Sequence, residues 1–239
     1  MFAEMKLNVL CTEIKLNIYK IRLTMVHKVQ KNFKIAHLNV RSLTASFVDF
    51  CDLVNADNFD FIGISETWLS NKIASADVGL NGYNLFRMDR PDERRGGGVG
   101  FYVRNNINCD TVKFDVDHND CMEHVWLKCK VNHTSILIGV IYRPEGNLMN
   151  TINLVEDILS QAIPEYDIVA IVGDLNIDLL NITNVLTDSM SNFDMFQIID
   201  EATRVTATSA TLVDHIFLNK PDLVLNKGTK NADAISDHR

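Results

Sequence analysis

The chain has 239 residues, of which 46% are hydrophobic and 23% are charged, and its formal net charge is −8. This length and composition predict one globular domain with a sizeable core. The longest apolar runs are far shorter than the roughly 20 residues that a membrane-spanning helix needs, so no membrane partner is expected.

The charge is unevenly distributed along the chain. Residues 1–33 hold six Lys or Arg against two acidic residues, whereas residues 34–239 carry a net charge of −12. An acidic body argues against a protein that coats DNA nonspecifically. Residues 1–33 also lack the features of a signal peptide. We interpret them as a basic N-terminal extension, either a helix or a disordered lead-in, and expect an intracellular protein, nuclear or cytoplasmic.

Five cysteines without a Cys-x-x-Cys pair indicate a reducing compartment. A zinc site at Cys121, His124, Cys129 and His133 is an alternative interpretation of this part of the chain. The surrounding residues alternate as in a strand, however, which places neighbouring side chains on opposite faces. A plain strand is therefore favoured.

From Lys34 onward the sequence predicts strands separated by a few helices. Two segments carry apolar residues at helical spacing, 44–56 and 151–162. Eight segments have the apolar character of strands: 34–40, 59–66, 82–88, 97–105, 122–131, 134–142, 167–174 and 211–218.

Six apolar segments carry polar side chains at or near one end. These are side chains that bind metal, move protons or hold phosphate: Asn39, Glu66, Tyr142, Asp174 with Asn176, Asp214, and Asp237 with His238. One such residue is commonly only a cap or turn. Six such segments together are typical of a metal-assisted hydrolytic site, because strand ends from different parts of a chain can meet at one rim of a sandwich.

The stretch IVAIVGDLN at 168–176 carries the clearest signal. Asp174 and Asn176 are two positions apart, so both side chains face the same side in an extended chain. Gly173 allows the backbone to turn close to a ligand. The alternative is a strand that runs into an Asx-type turn.

Several motifs occur in a fixed order: SETWL (65–69), YRP (142–144), GDLN (173–176), VDHI (213–216) and SDH (236–238). Together they resemble the endonuclease/exonuclease/phosphatase superfamily, the group of DNase I and the apurinic/apyrimidinic endonucleases, over residues 34–239. The stretches LNVRSL, GGGVGFYV and ATR are similar to the endonuclease domain of non-LTR retrotransposons.

The resemblance implies an α/β protein with a DNase I-like, four-layered α/β sandwich, in which two packed, mostly antiparallel sheets have helices on their outer faces. The implied activity is Mg²⁺-dependent phosphodiester hydrolysis, with Mn²⁺ as an alternative ion. The expected reaction is nicking of one DNA strand to leave a 3′-hydroxyl. The alternatives are a phosphatase or phosphodiesterase acting on a small molecule or lipid, and a non-catalytic truncated remnant.

The resemblance also carries expectations about organisation. The domain spans residues 34–239 and lacks the family's usual final strand. DNA is the expected partner, and the chain is expected to be a monomer. The reverse transcriptase module that accompanies this domain in retrotransposons is absent from the sequence.

Roles for the site residues follow from the resemblance. The implied metal ligands are Glu66, with Asn39 and Asp237 beside the metal. The implied catalytic residues are Asp174, which orients or deprotonates the attacking water, Asn176 and Tyr142, which hold phosphate oxygens, and Asp214, which pairs with His238. Oxygen ligands suit Mg²⁺, and a paired aspartate fixes the tautomer of a histidine.

Four further residues are expected to contact or support the substrate. Thr203 resembles the family's supporting threonine, with Thr206 as a rival, and Arg143 belongs to the YRP motif. Arg94 and Arg95 lie in a segment, 86–104, with a net charge of +2, which would steer the DNA backbone toward the rim. A solvated hairpin tip is the alternative interpretation of this segment.

Overall fold

The computed structural model describes residues 9–15, 32–90, 96–116, 122–131, 133–144, 146–180, 185–206 and 208–230. Four predicted site residues lie outside these ranges: Arg94, Arg95, Asp237 and His238. Cys121 of the alternative zinc site also lies outside them.

Within the described residues the first sheet has six strands, numbered here in chain order. Its spatial order is β14 (Val224–Lys230), β1 (Val9–Lys15), β2 (Asn32–Asn39), β3 (Phe61–Ser65), β5 (Val99–Arg104) and β4 (Tyr83–Met88). The pair β2 and β3 is parallel, and the other neighbours are antiparallel.

The second sheet also has six strands. Its spatial order is β10 (Phe196–Gln197), β13 (Asp214–Leu218), β9 (Ile168–Asp174), β8 (Thr134–Tyr142), β7 (Glu123–Val131) and β6 (Cys109–Val112). Only β8 and β9 are parallel among these neighbours. A separate ribbon pairs β11 (Arg204–Val205) with β12 (Ala210–Thr211).

Helices cover the outer faces of both sheets. Helix α1 (Phe47–Asp57) packs on the first sheet, and α2 (Leu148–Ala162) and α3 (Val185–Ser191) pack on the second. Two short 3-10 helices lie at Ser75–Val78 and Pro221–Leu223. This confirms the predicted four-layered sandwich with mostly antiparallel sheets. None of the described helices is both long and apolar enough to cross a membrane.

The main core lies between the two sheets. Because side chains alternate along a strand, every second residue points into this space. The inward set includes Ile35 and Phe61 from the first sheet and Ile138, Ala170 and Leu218 from the second. The intervening residues point outward to the helices.

The sheets approach each other closely at Gly63 on β3. A Cβ atom at this position would lie 2.6 Å from Cγ2 of Val172 on β9, well inside van der Waals contact. Glycine is therefore required here by space, since any side chain would push the second sheet away.

Two strand–helix–strand units face each other across this core. The parallel pair β2 and β3 is joined through α1, and the parallel pair β8 and β9 is joined through α2. Parallel strands end at the same edge of a sheet. Both units therefore carry the ends of their strands to one edge, and β13 starts there because it runs antiparallel to β9.

The N-terminal region differs from the expectation. Val9–Lys15 forms β1, which pairs with both β2 and β14 inside the first sheet. These seven residues are thus neither a helix nor a disordered lead-in. They were missed because a short strand of mixed polarity gives little local signal, and its place between β2 and the distant strand β14 is set by the sheet.

Candidate active site at the rim of the sandwich

The rim is the edge where the inward-facing rows of both sheets become polar. Asn39 is in register with Ser65, Tyr142 with Asp174, and Asp174 with Asp214. Each of these residues continues the alternation of the apolar core by one more step. The structure therefore brings together the polar strand ends that the sequence singled out, within the described ranges.

Glu66 follows β3 and is held by two donors. Its Oε1 accepts a hydrogen bond from the Tyr142 hydroxyl at 2.5 Å, and its Oε2 accepts one from Trp68 Nε1 at 2.8 Å. The bond from Tyr142 crosses from the second sheet to the first. Burial, followed by the bond to Glu66, raises the pKa of Tyr142, so this hydroxyl stays protonated and donates to Glu66.

The backbone around Glu66 has an uncommon conformation. Glu66 and Trp68 have φ values of 55° and 54°, in the left-handed region that side-chain-bearing residues rarely adopt. Hydrogen bonds stabilise it, since Ser42 N donates to Glu66 O, and Trp68 N donates to Gly97 O. Such strain is typical of functional sites, where the surrounding structure compensates for it.

Asp174 ends β9 and is almost fully buried. Its Oδ2 accepts from Asn39 Nδ2 at 2.8 Å, again across the two sheets, and its Oδ1 accepts from Asn176 N at 2.9 Å. Burial and the nearby carboxylate of Asp214 raise the pKa of Asp174 well above its usual range. A carboxyl group tuned in this way is a good general base near neutral pH.

Asp214 begins β13 and is also buried. The hydroxyl oxygen of Thr203 accepts hydrogen bonds from Val213 N and Asp214 N, both at 3.0 Å. Thr203 is fully buried, so it supports Asp214 and does not reach substrate directly. Thr206 instead bonds to Ser209, between β11 and β12, which favours Thr203 as the supporting threonine.

Arg143 differs from the prediction of a substrate contact. Its side chain is 8% exposed and donates to Leu175 O at 3.2 Å and to Gly146 O at 2.7 Å. The guanidinium therefore fixes the loops that follow β8 and β9. Asn176 joins this network, because its Nδ2 donates to Arg143 O at 2.9 Å.

Glycine is required at position 173 for a different reason from the one expected. Its φ is +155°, and a Cβ atom there would lie 1.9 Å from Ile141 O on the neighbouring strand β8. The close approach that requires glycine is thus to the adjacent backbone and not to a ligand.

Two buried polar residues were missed from the sequence. His37 and Ser65 are both fully buried on the inward face at the rim. His37 lies inside an apolar strand, two positions before Asn39, and a single polar residue there was not distinguished from core. The signal that would have found it is its parity: it shares the inward face with Ile35 and Asn39.

The donor set at the rim fits a divalent cation. Glu66, Asp174 and Asp214 are carboxylates, and Asn39 adds an amide oxygen that also accepts a hydrogen bond from Arg41 N. Such oxygens are the ligands that Mg²⁺ prefers. Within the described ranges no three His, Cys, Asp or Glu side chains group closely enough to form a complete metal cage. One or two carboxylates with bound water are sufficient for Mg²⁺, so the two observations are compatible. His124 and Cys129 of the alternative zinc site are not part of any such group among the described residues, and both lie on strand β7.

Solved structures of similar architecture define the class. The endonuclease domain of TRAS1, a telomere-specific non-LTR retrotransposon, matches with a TM-score of 0.58 and 11% identity over 77% of this chain and 84% of that one. An AP endonuclease from Archaeoglobus fulgidus matches with a TM-score of 0.57 and 14% identity over 79% and 87%. The mannosyl-6-phosphatase Bt3783 of Bacteroides thetaiotaomicron matches with 0.56 and 17% over 77% and 84%. The fold is therefore DNase I-like.

The family follows from the sequence itself. Residues 36–238 match the Endonuclease/Exonuclease/phosphatase family, and the chain belongs to it. Enzymes of this family hydrolyse phosphodiesters or phosphate monoesters and generally depend on a divalent metal. No curated protein sequence matches the chain.

Proposed function

We propose that this protein is a Mg²⁺-dependent DNA endonuclease of retrotransposon origin, which nicks one strand and leaves a 3′-hydroxyl. The observation that carries the hydrolase part is the convergence of Asn39, Glu66, Asp174 and Asp214 at one rim. The DNA part is supported by the retrotransposon-like motifs and by two endonucleases among the similar structures, one of them from a retrotransposon.

Glu66 and Asn39 would hold the cation, together with Asp237, which lies outside the described residues. When bound, a divalent cation neutralises charge on a phosphate oxygen. Tyr142 and Trp68 fix both oxygens of Glu66, so this carboxylate is oriented before substrate arrives. Such preorganisation lowers the cost of binding a charged transition state.

Asp174 would orient and deprotonate the attacking water. Asn39 Nδ2 and Asn176 N orient its carboxylate, and burial beside Asp214 makes it a stronger base than an exposed aspartate. The amide of Asn176 would contact a phosphate oxygen. Asp214, supported by Thr203, would orient His238 beside the scissile phosphate.

A plasmid assay tests this proposal. The purified chain should convert supercoiled DNA to relaxed circles with Mg²⁺ but not with EDTA, and a DNA polymerase should extend the nicks if they carry a 3′-hydroxyl. Asp174→Ala should abolish nicking. Asp110→Ala is a matched control, because Asp110 is an exposed strand carboxylate on β6, far from the rim residues in the sheet order.

A phosphatase is the second candidate, because a phosphatase shares the fold at a similar TM-score. The rim chemistry described above serves a phosphate monoester as well as a diester. Cleavage of p-nitrophenyl phosphate without cleavage of DNA would favour the phosphatase. Hydrolysis of neither substrate by a folded chain would favour a non-catalytic remnant and contradict both.

A further inference from the structure

His37 lies on β2 one inward position below Asn39, directly beneath the rim. Its side chain is fully buried. Its Nδ1 lies 3.4 Å from Asp214 Oδ1, and its Nε2 shares a hydrogen bond of 3.2 Å with Ser65 Oγ. The contact with Asp214 passes from the first sheet to the second, so the imidazole bridges the two halves of the sandwich.

Ser65, His37 and Asp214 have the connectivity of a Ser-His-Asp triad, but they cannot act as one. Ser65 and His37 are each 0% exposed, and Asp214 is 3% exposed. A nucleophilic serine must reach the reacting carbon or phosphorus atom of its substrate. The arrangement is thus placed behind the reacting surface, on the core side of Asp214.

A buried imidazole needs polar partners, because unpaired polar groups in an apolar core are costly. Nδ1 of His37 has no hydrogen bond within normal limits to any described residue, and it points toward Asp214. A carboxylate only accepts hydrogen bonds, so Nδ1 must carry the proton in this pair. Contacts of this kind are often long in an unliganded enzyme and shorten when substrate binds.

We propose that His37 is a positioning residue that holds the Asp214 carboxylate from the core side. Thr203 fixes the backbone of Asp214, whereas His37 would fix the orientation of its carboxylate. Through Ser65, the residue before Glu66, the same imidazole links this carboxylate to the end of β3. The proposal rests on the proposed hydrolase function, since the role of Asp214 comes from it.

Three substitutions separate the two contacts of the imidazole. In His37→Asn the side-chain amide takes the place of Nδ1 and can still donate to Asp214. In His37→Gln the amide takes the place of Nε2 and reaches Ser65 instead. His37→Leu removes both contacts while keeping an apolar side chain of similar size. We expect His37→Asn to retain most of the nicking rate, and the other two to lose it.

The expected loss is in kcat, on the order of 10- to 100-fold for His37→Gln and His37→Leu, as is usual for residues that orient a catalytic group. KM for DNA should change little, because His37 does not touch substrate. Ile35→Val is the matched control: Ile35 is buried on the same face of the same strand, and its variant loses packing without losing a polar contact. Urea unfolding of all variants shows whether a loss of nicking rate comes from a loss of folded protein.

Nitrogen-15 NMR of the histidine rings gives a reading that does not depend on activity. The proton of His37 should reside on Nδ1 in the wild-type chain. A ring proton found only on Nε2 would overturn the contact with Asp214, and an unchanged kcat in folded His37→Leu would overturn the positioning role. A wild-type chain that nicks no DNA would overturn the proposed function, while the NMR result would still decide the contact.

Discussion

The polar rim and the opposite end of the core are built by the same strands and the same inward face. At the far end that face is entirely apolar and encloses a small cavity of about 20 Å³, lined by Phe33, Ile35, Phe61, Ile136, Ile138, Ile168 and Ala170. A few residues further along the strands, the same alternation places Asn39, Asp174 and Asp214 inside. The far end contributes burial, which stabilises the fold, whereas the rim concentrates like charges, which oppose it.

The largest contrast should come from Glu66 at the rim. Glu66→Gln keeps the size of the side chain but removes the charge that would hold the cation. We expect the cleavage rate to fall on the order of 1,000-fold, equivalent to about 4 kcal/mol of transition-state stabilisation. Calorimetric titration should show weakened Mg²⁺ binding.

The control for this variant is Glu165→Gln, an exposed glutamate after α2. The urea midpoint of both variants should remain near that of the wild type. Unchanged Mg²⁺ affinity in Glu66→Gln would contradict the ligand assignment.

At the far end a substitution should affect stability alone. Ile138→Ala enlarges the cavity that Ile138 already lines, and buried Ile-to-Ala changes cost roughly 2 to 5 kcal/mol. Urea unfolding measures this loss, and the nicking rate of the folded fraction should be unchanged. A fall in kcat comparable to that of Glu66→Gln would show that the two ends are not independent.

A buried histidine next to the rim should make stability depend on pH. Burial lowers the pKa of His215 to about 4, from an ordinary value near 6.5, because desolvation disfavours the charged ring. Between these values the unfolded chain binds a proton that the folded chain does not. With respect to His215, the free energy of unfolding should therefore be at its maximum above pH 6.5. It should fall by at most about 3 kcal/mol as the pH drops toward 4.

His215→Gln tests this dependence, because glutamine can still donate to Ile177 O, the partner of Nε2 at 3.1 Å, but does not titrate. Urea midpoints at pH 7 and pH 5 should differ less in the variant. His133→Gln, at an exposed position, is the matched control. An equal pH slope in wild type and His215→Gln would exclude this group as the source.

The smallest expected effect is a gain of stability at the rim. The raised pKa of Asp174 means that its ionisation destabilises the fold, with no effect below about pH 4 and a growing cost as the pH rises. Asp174→Asn removes this cost and should stabilise the cation-free chain by about 1 to 2 kcal/mol at pH 8 while abolishing cleavage.

Urea midpoints in EDTA at pH 4 and pH 8 measure this gain, which should be present only at the higher pH. The exposed Asp110→Asn should show no such difference. A destabilised Asp174→Asn at pH 8 would mean that the hydrogen bonds from Asn39 and Asn176 outweigh the repulsion from Asp214.

Local patterns predicted most of the strands and helices and most of the rim residues, whereas the four-layered sandwich was implied by the resemblance to a known family. Apolar alternation located β2, β8 and β9 to within about two residues, and the polar residues after these strands marked the site. The sequence analysis missed β1, which lies between β2 and the distant strand β14 in the sheet. It also missed β14 itself and the short helix α3.

The role of individual side chains was harder to predict. Arg143 was expected at the substrate because it belongs to the YRP motif, yet its environment is set by loops after two different strands. His37 was overlooked because only the packing of one sheet on the other places it beside Asp214. The hydrogen bond from the Trp68 indole nitrogen to Glu66 likewise has no local sequence signal.

Because Gly63 has no side chain, the two sheets can approach closely enough for the contacts at the rim. Asn39 with Asp174, Tyr142 with Glu66, and His37 with Asp214 are each a bond or contact between sheets, and none can stretch by more than a few tenths of an ångström. One methyl group at position 63 would clash with Val172 and push the sheets apart, one inward position before the rim residues. The spacing of the proposed catalytic groups therefore depends on an apolar contact between the sheets that lies outside the proposed site.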